Sequence, residues 1–98
     1  MKLVWSALAD RQVDEALAYI AADDLAAARR WLKELLERVD ALRRFPDAGR
    51  VVPELGRDWI RELLVGSYRI IYRHRGDLVE IAIIHHQAQH FDEDGLAR

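Results

Sequence analysis

Three histidines, His85, His86 and His90, stand close together near the end of this 98-residue chain, with Asp92 and Glu93 just beyond them. Imidazole and carboxylate groups in company can hold a transition metal, but such sites need three or four converging ligands. Adjacent residues at a strand end point to opposite faces, so His85 and His86 do not converge, and no metal site is expected. A single histidine beside arginines could instead do general acid–base chemistry on an RNA phosphodiester. Its pKa near neutrality suits proton transfer, and a guanidinium would neutralise the charge that builds on phosphorus. Arg69 with His86 or His90 is the set that could do this. The plainer alternative is a strand-end histidine bonded to backbone or water.

Other chemistries find no footing. Cysteine is absent, which removes disulfides, thiol catalysis and cysteine zinc sites. The chain holds no glycine-rich phosphate loop, no nucleophile elbow and no carboxylate pair at a diagnostic spacing, so an ordinary hydrolase or nucleotide enzyme is not expected, nor is a cofactor. Trp5, Trp31 and Trp59 could stack on bases, but a chain this short needs its large residues for a core or a partner interface.

The elements that must position these groups follow from periodicity. Lys2-Leu3-Val4-Trp5 is a short apolar run of strand type, and Ser6 is a natural helix N-cap. Over residues 7–22, Ala9, Val13, Ala16, Leu17 and Ile20 recur at helical spacing, with Asp10, Asp14 and Glu15 mostly opposite. Asp23 or Asp24 then caps a second helix, whose stripe is Leu25, Ala28, Leu32, Leu35, Val39 and Leu42. Phe45-Pro46 ends it, since a residue before proline is pushed out of the α region. Helices joined by two or three residues fold back as a hairpin. Residues 47–56, with Pro53 and two glycines, read as a loop.

Beyond the loop the period becomes two. Residues 59–65, 68–73 and 78–85 are runs of strand length, and Gly66-Ser67 is a two-residue hairpin turn with glycine at the positive φ of type II′. That turn pairs Val65 with Tyr68, Leu63 with Ile70 and Arg61 with Tyr72. On the other face it pairs Leu64 with Arg69, Glu62 with Ile71 and Ile60 with Arg73. One face is then apolar, as a sheet covered on one side requires. On the other face Glu62 falls diagonally between Arg69 and Arg73, and guanidinium groups stud the surface. Simple alternation puts Val79, Ile81 and Ile83 on the apolar face, and Glu80 and His86 with the arginines. The expected fold class is α+β: a short N-terminal strand, a two-helix hairpin, then a three-stranded antiparallel meander with the helices packed on one sheet face.

A composition of 51% hydrophobic and 33% charged residues suits one compact domain over residues 1–98, with a flexible tail over 90–98. No apolar run approaches the roughly 20 residues of a membrane span, and no targeting segment opens the chain, so the expected location is the cytoplasm. The net charge of −2 is too small to signal nucleic acid or membrane binding. Its distribution is uneven: residues 29–50 and residues 57–75 each net +3, while residues 1–28 net −3. Thirteen of the fifteen basic residues are arginine, whose forked donors suit carboxylates and phosphates on a contact surface.

The order of elements and several short segments resemble the RelE/ParE superfamily of bacterial type II toxins. The matching segments are Val4-Trp5-Ser6, Tyr19-Ile20-Ala21, Asp24-Leu25-Ala26-Ala27-Ala28, Phe45-Pro46 through Gly49-Arg50, and Arg61-Glu62-Leu63. Tyr68-Arg69-Ile70-Ile71-Tyr72-Arg73 follows, then Val79-Glu80-Ile81 leading to His86. The likeness spans about residues 2–89. In that superfamily the RelE branch cleaves messenger RNA on the ribosome and the ParE branch poisons DNA gyrase. Of four basic positions in the RelE branch, only Arg69 is matched; the others fall on Ile60, Glu62 and Gln89, and Glu62 reverses the charge. The likeness is therefore closer to the ParE branch. It implies a non-catalytic protein that binds DNA gyrase, with Arg61, Arg69, Arg73, His86 and Gln89 as target contacts. It also implies a cognate antitoxin that folds on the toxin, with Trp31, Trp59, Arg61 and Tyr72 as its anchors. The alternatives are a ribosome-dependent endoribonuclease acting through Arg69 with His86 or His90, or a non-toxic member kept as an antitoxin partner.

Overall fold

The structure, a computed structural model, describes residues 1–88. Elements follow in the order β1 (Lys2–Trp5), α1 (Ala7–Asp23), α2 (Leu25–Ala41), β2 (Arg50–Val51), β3 (Ile60–Val65), β4 (Tyr68–Arg75) and β5 (Leu78–His86). The expected α+β arrangement is the one observed. The strands form a single sheet in the order β1-β5-β4-β3-β2, in which β1 runs parallel to β5 and the other neighbours are antiparallel. No helix among the described residues is long and apolar enough to cross a membrane.

Capping chemistry sets the helix ends. The Ser6 hydroxyl accepts from the Ala9 N–H at 2.9 Å and donates to the Ala82 carbonyl at 2.7 Å, so one side chain starts α1 and ties it to β5. Asp24 alone joins the helices. Its N–H donates to the Ile20 carbonyl at 2.9 Å and closes α1, while its carboxylate accepts from the Ala27 N–H at 3.1 Å and opens α2. The second helix is shorter than the sequence pattern suggests: its α-helical bonding stops at Ala41. Leu42, Arg43 and Arg44 then donate to carbonyls three residues back, a tighter winding that leads the chain into Phe45-Pro46.

The β3–β4 register is the expected one at all six pairs from Ile60↔Arg73 to Val65↔Tyr68, and Gly66 takes the positive φ of +58° that the turn requires. Two features depart from expectation. Arg50–Val51, inside the expected loop, pairs with Glu62 and Arg61 as a fifth strand. The second departure is a bulge: β4 and β5 match Ile71 to Ile83 but Tyr72 to Ile81, leaving Ala82 as an extra residue.

The bulge reverses the alternation of β5 beyond Ile81. Val79, Ile81 and Ile84 pack in the main core with Trp31, Leu35, Val39, Leu63, Val65, Ile70 and Tyr72. Ala82 and Ile83 turn to the other face and join Val52, Ile60, Ile71, Leu55 and Trp59 in a second, smaller core under the 52–59 segment. Ile83 thus lies opposite to where simple alternation places it. The face away from the helices is apolar at one end rather than uniformly charged.

Candidate functional site

The outer face carries a chain of alternating charges built around β3 and β4. Glu62, only 1% exposed, accepts from Arg69 Nε and from Arg50 Nε, each at 2.6 Å. Arg69 then turns its two terminal nitrogens onto Glu54, at 2.7 and 2.8 Å, in a bidentate pair. The guanidinium holds the Glu54 carboxyl down at about 2, and the two carboxylates push Arg69 above its ordinary value. Arg69 is 9% exposed, so this guanidinium is a tie between strand and loop rather than an outward stud. Glu62 therefore pairs with Arg69 as its diagonal position suggests, but Arg73 turns the other way, to Glu80 at 3.1 Å. The Arg73 Nε is buried with no hydrogen-bond partner among the described residues.

Arg61 and Tyr72 are spent on the chain that leads from α2 into β2. Arg61 donates from Nε to the Asp58 carbonyl at 2.9 Å and from Nη1 to the Gly49 carbonyl at 3.0 Å, and lies 3.5 Å from the Asp47 carboxylate. The same carboxylate meets His74 Nδ1 at 3.0 Å, which lowers the Asp47 pKa. Tyr72 is fully buried. Its hydroxyl donates to the Pro46 carbonyl at 2.7 Å and accepts from the Gly49 N–H at 2.9 Å, and burial raises its pKa. Gly49 is required here, because a Cβ would come within 2.6 Å of the Glu62 carbonyl oxygen.

Of the four anchors expected for a partner, two are interior. Trp31 donates from Nε1 to the Val65 carbonyl at 3.0 Å and packs on Tyr68 with 6% of its surface exposed, and Tyr72 is wholly buried. Both sit on the helix-covered face, where a small domain must place its largest rings. Trp59 is half-buried, with the Arg75 guanidinium 3.7 Å over its ring.

His86 is on the helix side of the sheet, not with Arg69, because the bulge at Ala82 flips the strand. The Arg69–His86 pair needed for phosphodiester chemistry is thus divided between two faces. Gln89 and His90 lie outside the described residues, as does the expected flexible tail. His86 meets Tyr68 edge-on, with ring centroids 4.9 Å apart, and Tyr19 of α1 at 6.2 Å. These rings border an open cleft of about 420 Å³, lined also by Gln12, Glu15 and Ile84. Gln12 is fixed there by accepting from the Ile84 N–H at 2.7 Å. Burial and the neighbouring Tyr19 raise the Tyr68 pKa, so this hydroxyl stays protonated at neutral pH. The sequence pattern marks His86 but misses Gln12, Glu15 and Tyr19. The available signal was Tyr19, a large ring on the helix at a position left 72% exposed.

A family model described as the ParE toxin of the type II toxin–antitoxin system parDE matches residues 3–91. Among solved structures, a chromosomal ParDE toxin–antitoxin system from P. aeruginosa superposes with a TM-score of 0.69 at 20% identity, covering 88% of this chain and 95% of that one. No curated protein matches by sequence.

Proposed function

The chain belongs to the ParE toxin family of type II toxin–antitoxin systems, and we propose that it acts in the cytoplasm by binding DNA gyrase, without chemistry of its own, until a cognate antitoxin neutralises it. One observation carries the non-catalytic reading: every terminal nitrogen of Arg69 is held by Glu54 and its Nε by Glu62. An arginine needed for a phosphate would have to leave two carboxylates, and Glu62 would repel the phosphate in its place. Target contact then falls to Arg73 and His86, which keep exposed surface, while Arg69 and Arg61 act by holding the 47–54 segment in shape. Trp59 with Arg75 is the aromatic anchor left at the surface for an antitoxin.

The test is a gyrase supercoiling assay with relaxed plasmid and the purified chain. Loss of supercoiled product and accumulation of cleaved DNA, both reversed by the antitoxin, is the expected result. Normal supercoiling at a dose that arrests growth overturns the gyrase target. Mapped messenger cuts within translated codons that vanish in His86→Ala would put a ribosome-dependent endoribonuclease in its place.

A further inference from the structure

The cleft between α1 and strands β4 and β5 has a composition that selects its guest. Three rings, Tyr19, Tyr68 and His86, form its walls, with His86 edge-on to each of the two tyrosines. The fixed charge among its lining residues is the carboxylate of Glu15, which makes no ion pair with any described residue. Gln12 adds an amide oxygen that has given one lone pair to the Ile84 N–H and keeps another. The cleft lies along the middle turns of α1, which Gln12, Glu15, Ala16 and Tyr19 present to it. Arg30 and Glu34 border a neighbouring depression that shares the Tyr19, Tyr68 and His86 rings, and neither is among the residues of this one.

Each element of that lining favours positive charge. Ring faces are electron-rich, and a carboxylate and an amide oxygen accept hydrogen bonds. An anion would meet repulsion from Glu15 and the ring faces. A purely apolar group would strip water from Glu15 without replacing its hydrogen bonds. A flat cation answers both demands, because a guanidinium stacks on aromatic rings and forks its N–H groups onto a carboxylate. We propose that this cleft is a binding site for an arginine side chain of a partner polypeptide, with the guanidinium against Tyr19 and Tyr68 and hydrogen-bonded to Glu15. The site holds whether or not gyrase is the target.

The experiment is an NMR titration of the full chain, following the ring resonances of Tyr19, Tyr68 and His86. The probes are N-acetyl-arginine amide, N-acetyl-citrulline amide and N-acetyl-glutamate amide. Saturable shifts with the arginine probe are expected, and binding of the uncharged, isosteric citrulline probe should be weaker by about fivefold or more. Glu15→Gln should weaken arginine binding by a similar factor and leave citrulline binding unchanged, and Tyr19→Ala should weaken both. Glu15 and Tyr19 are exposed, so neither variant threatens the fold. Equal binding of arginine and citrulline, preference for the glutamate probe, absence of saturable shifts, or indifference to Glu15→Gln each overturns the proposal.

Discussion

On the face away from the helices, Arg69 and Glu62 lie within the protein and hold each other, with Arg50 and Glu54 completing the chain of charges. On the helix side, Glu15 borders an open cleft with no ion pair to any described residue. The difference follows from solvation. A buried ion without a partner costs several kcal/mol, so the inward group must be matched by the protein itself. An exposed carboxylate is matched by water, and a guest can displace that water at small cost. The ionic cluster that looks most like an active site is thereby committed to structure, while the plainer cleft keeps capacity for a ligand.

The largest test of this contrast is Glu62→Ala. It leaves Arg69 short of one carboxylate in a buried setting, and stability should fall by about 3–5 kcal/mol in urea denaturation. A loss below about 1 kcal/mol would mean that water already reaches the cluster. Gly49→Ala comes next, because the added Cβ meets the Glu62 carbonyl and the Tyr72 ring. A loss of about 1–3 kcal/mol is expected by the same measurement. Acid should then distinguish the two faces. The Glu54 carboxyl is held at about 2 against an ordinary 4.5, so its contribution is present above pH 4.5 and is lost as pH falls from there toward 2. Thermal melts of Glu54→Gln should be lower than wild type near neutrality and flatter through that acid window. Tyr19→Ala is the smallest, within about 0.5 kcal/mol of wild type, since its ring is largely in water. A larger loss would make the cleft part of the core.

The hairpin was legible because Gly66-Ser67 admits one tight turn, and a turn of known length sets the register of both strands. The Glu62–Arg69 pairing followed from that register. The fifth strand was not legible: Arg50–Val51 is two residues long and surrounded by turn-forming residues, too short for any period to show. Periodicity overstates the length of α2 because Leu42 continues the apolar stripe after the α-helical bonding has ended, and burial rewards its position in either winding. The placement of His86 failed for a sharper reason. Nothing in Ile81-Ala82-Ile83-Ile84 marks one of these apolar residues as supernumerary. The choice is made by tertiary contacts, among them the hydroxyl of Ser6 on the Ala82 carbonyl and the amide of Gln12 on the Ile84 N–H. Exposure of Trp31 and Tyr72 could not be judged from their type alone, since rings serve cores and interfaces equally.

The supernumerary Ala82 is absorbed by the bulge, which keeps His86 opposite Tyr68 although the strand carries one residue more than its neighbour. Excising that one residue would leave a regular ladder, with Ile71 still opposite Ile83, Arg69 opposite His85 and Tyr68 opposite His86. Flattening the bulge with every residue retained would instead advance the strand end by one, bringing His85 opposite Tyr68 and His86 onto the face of Arg69.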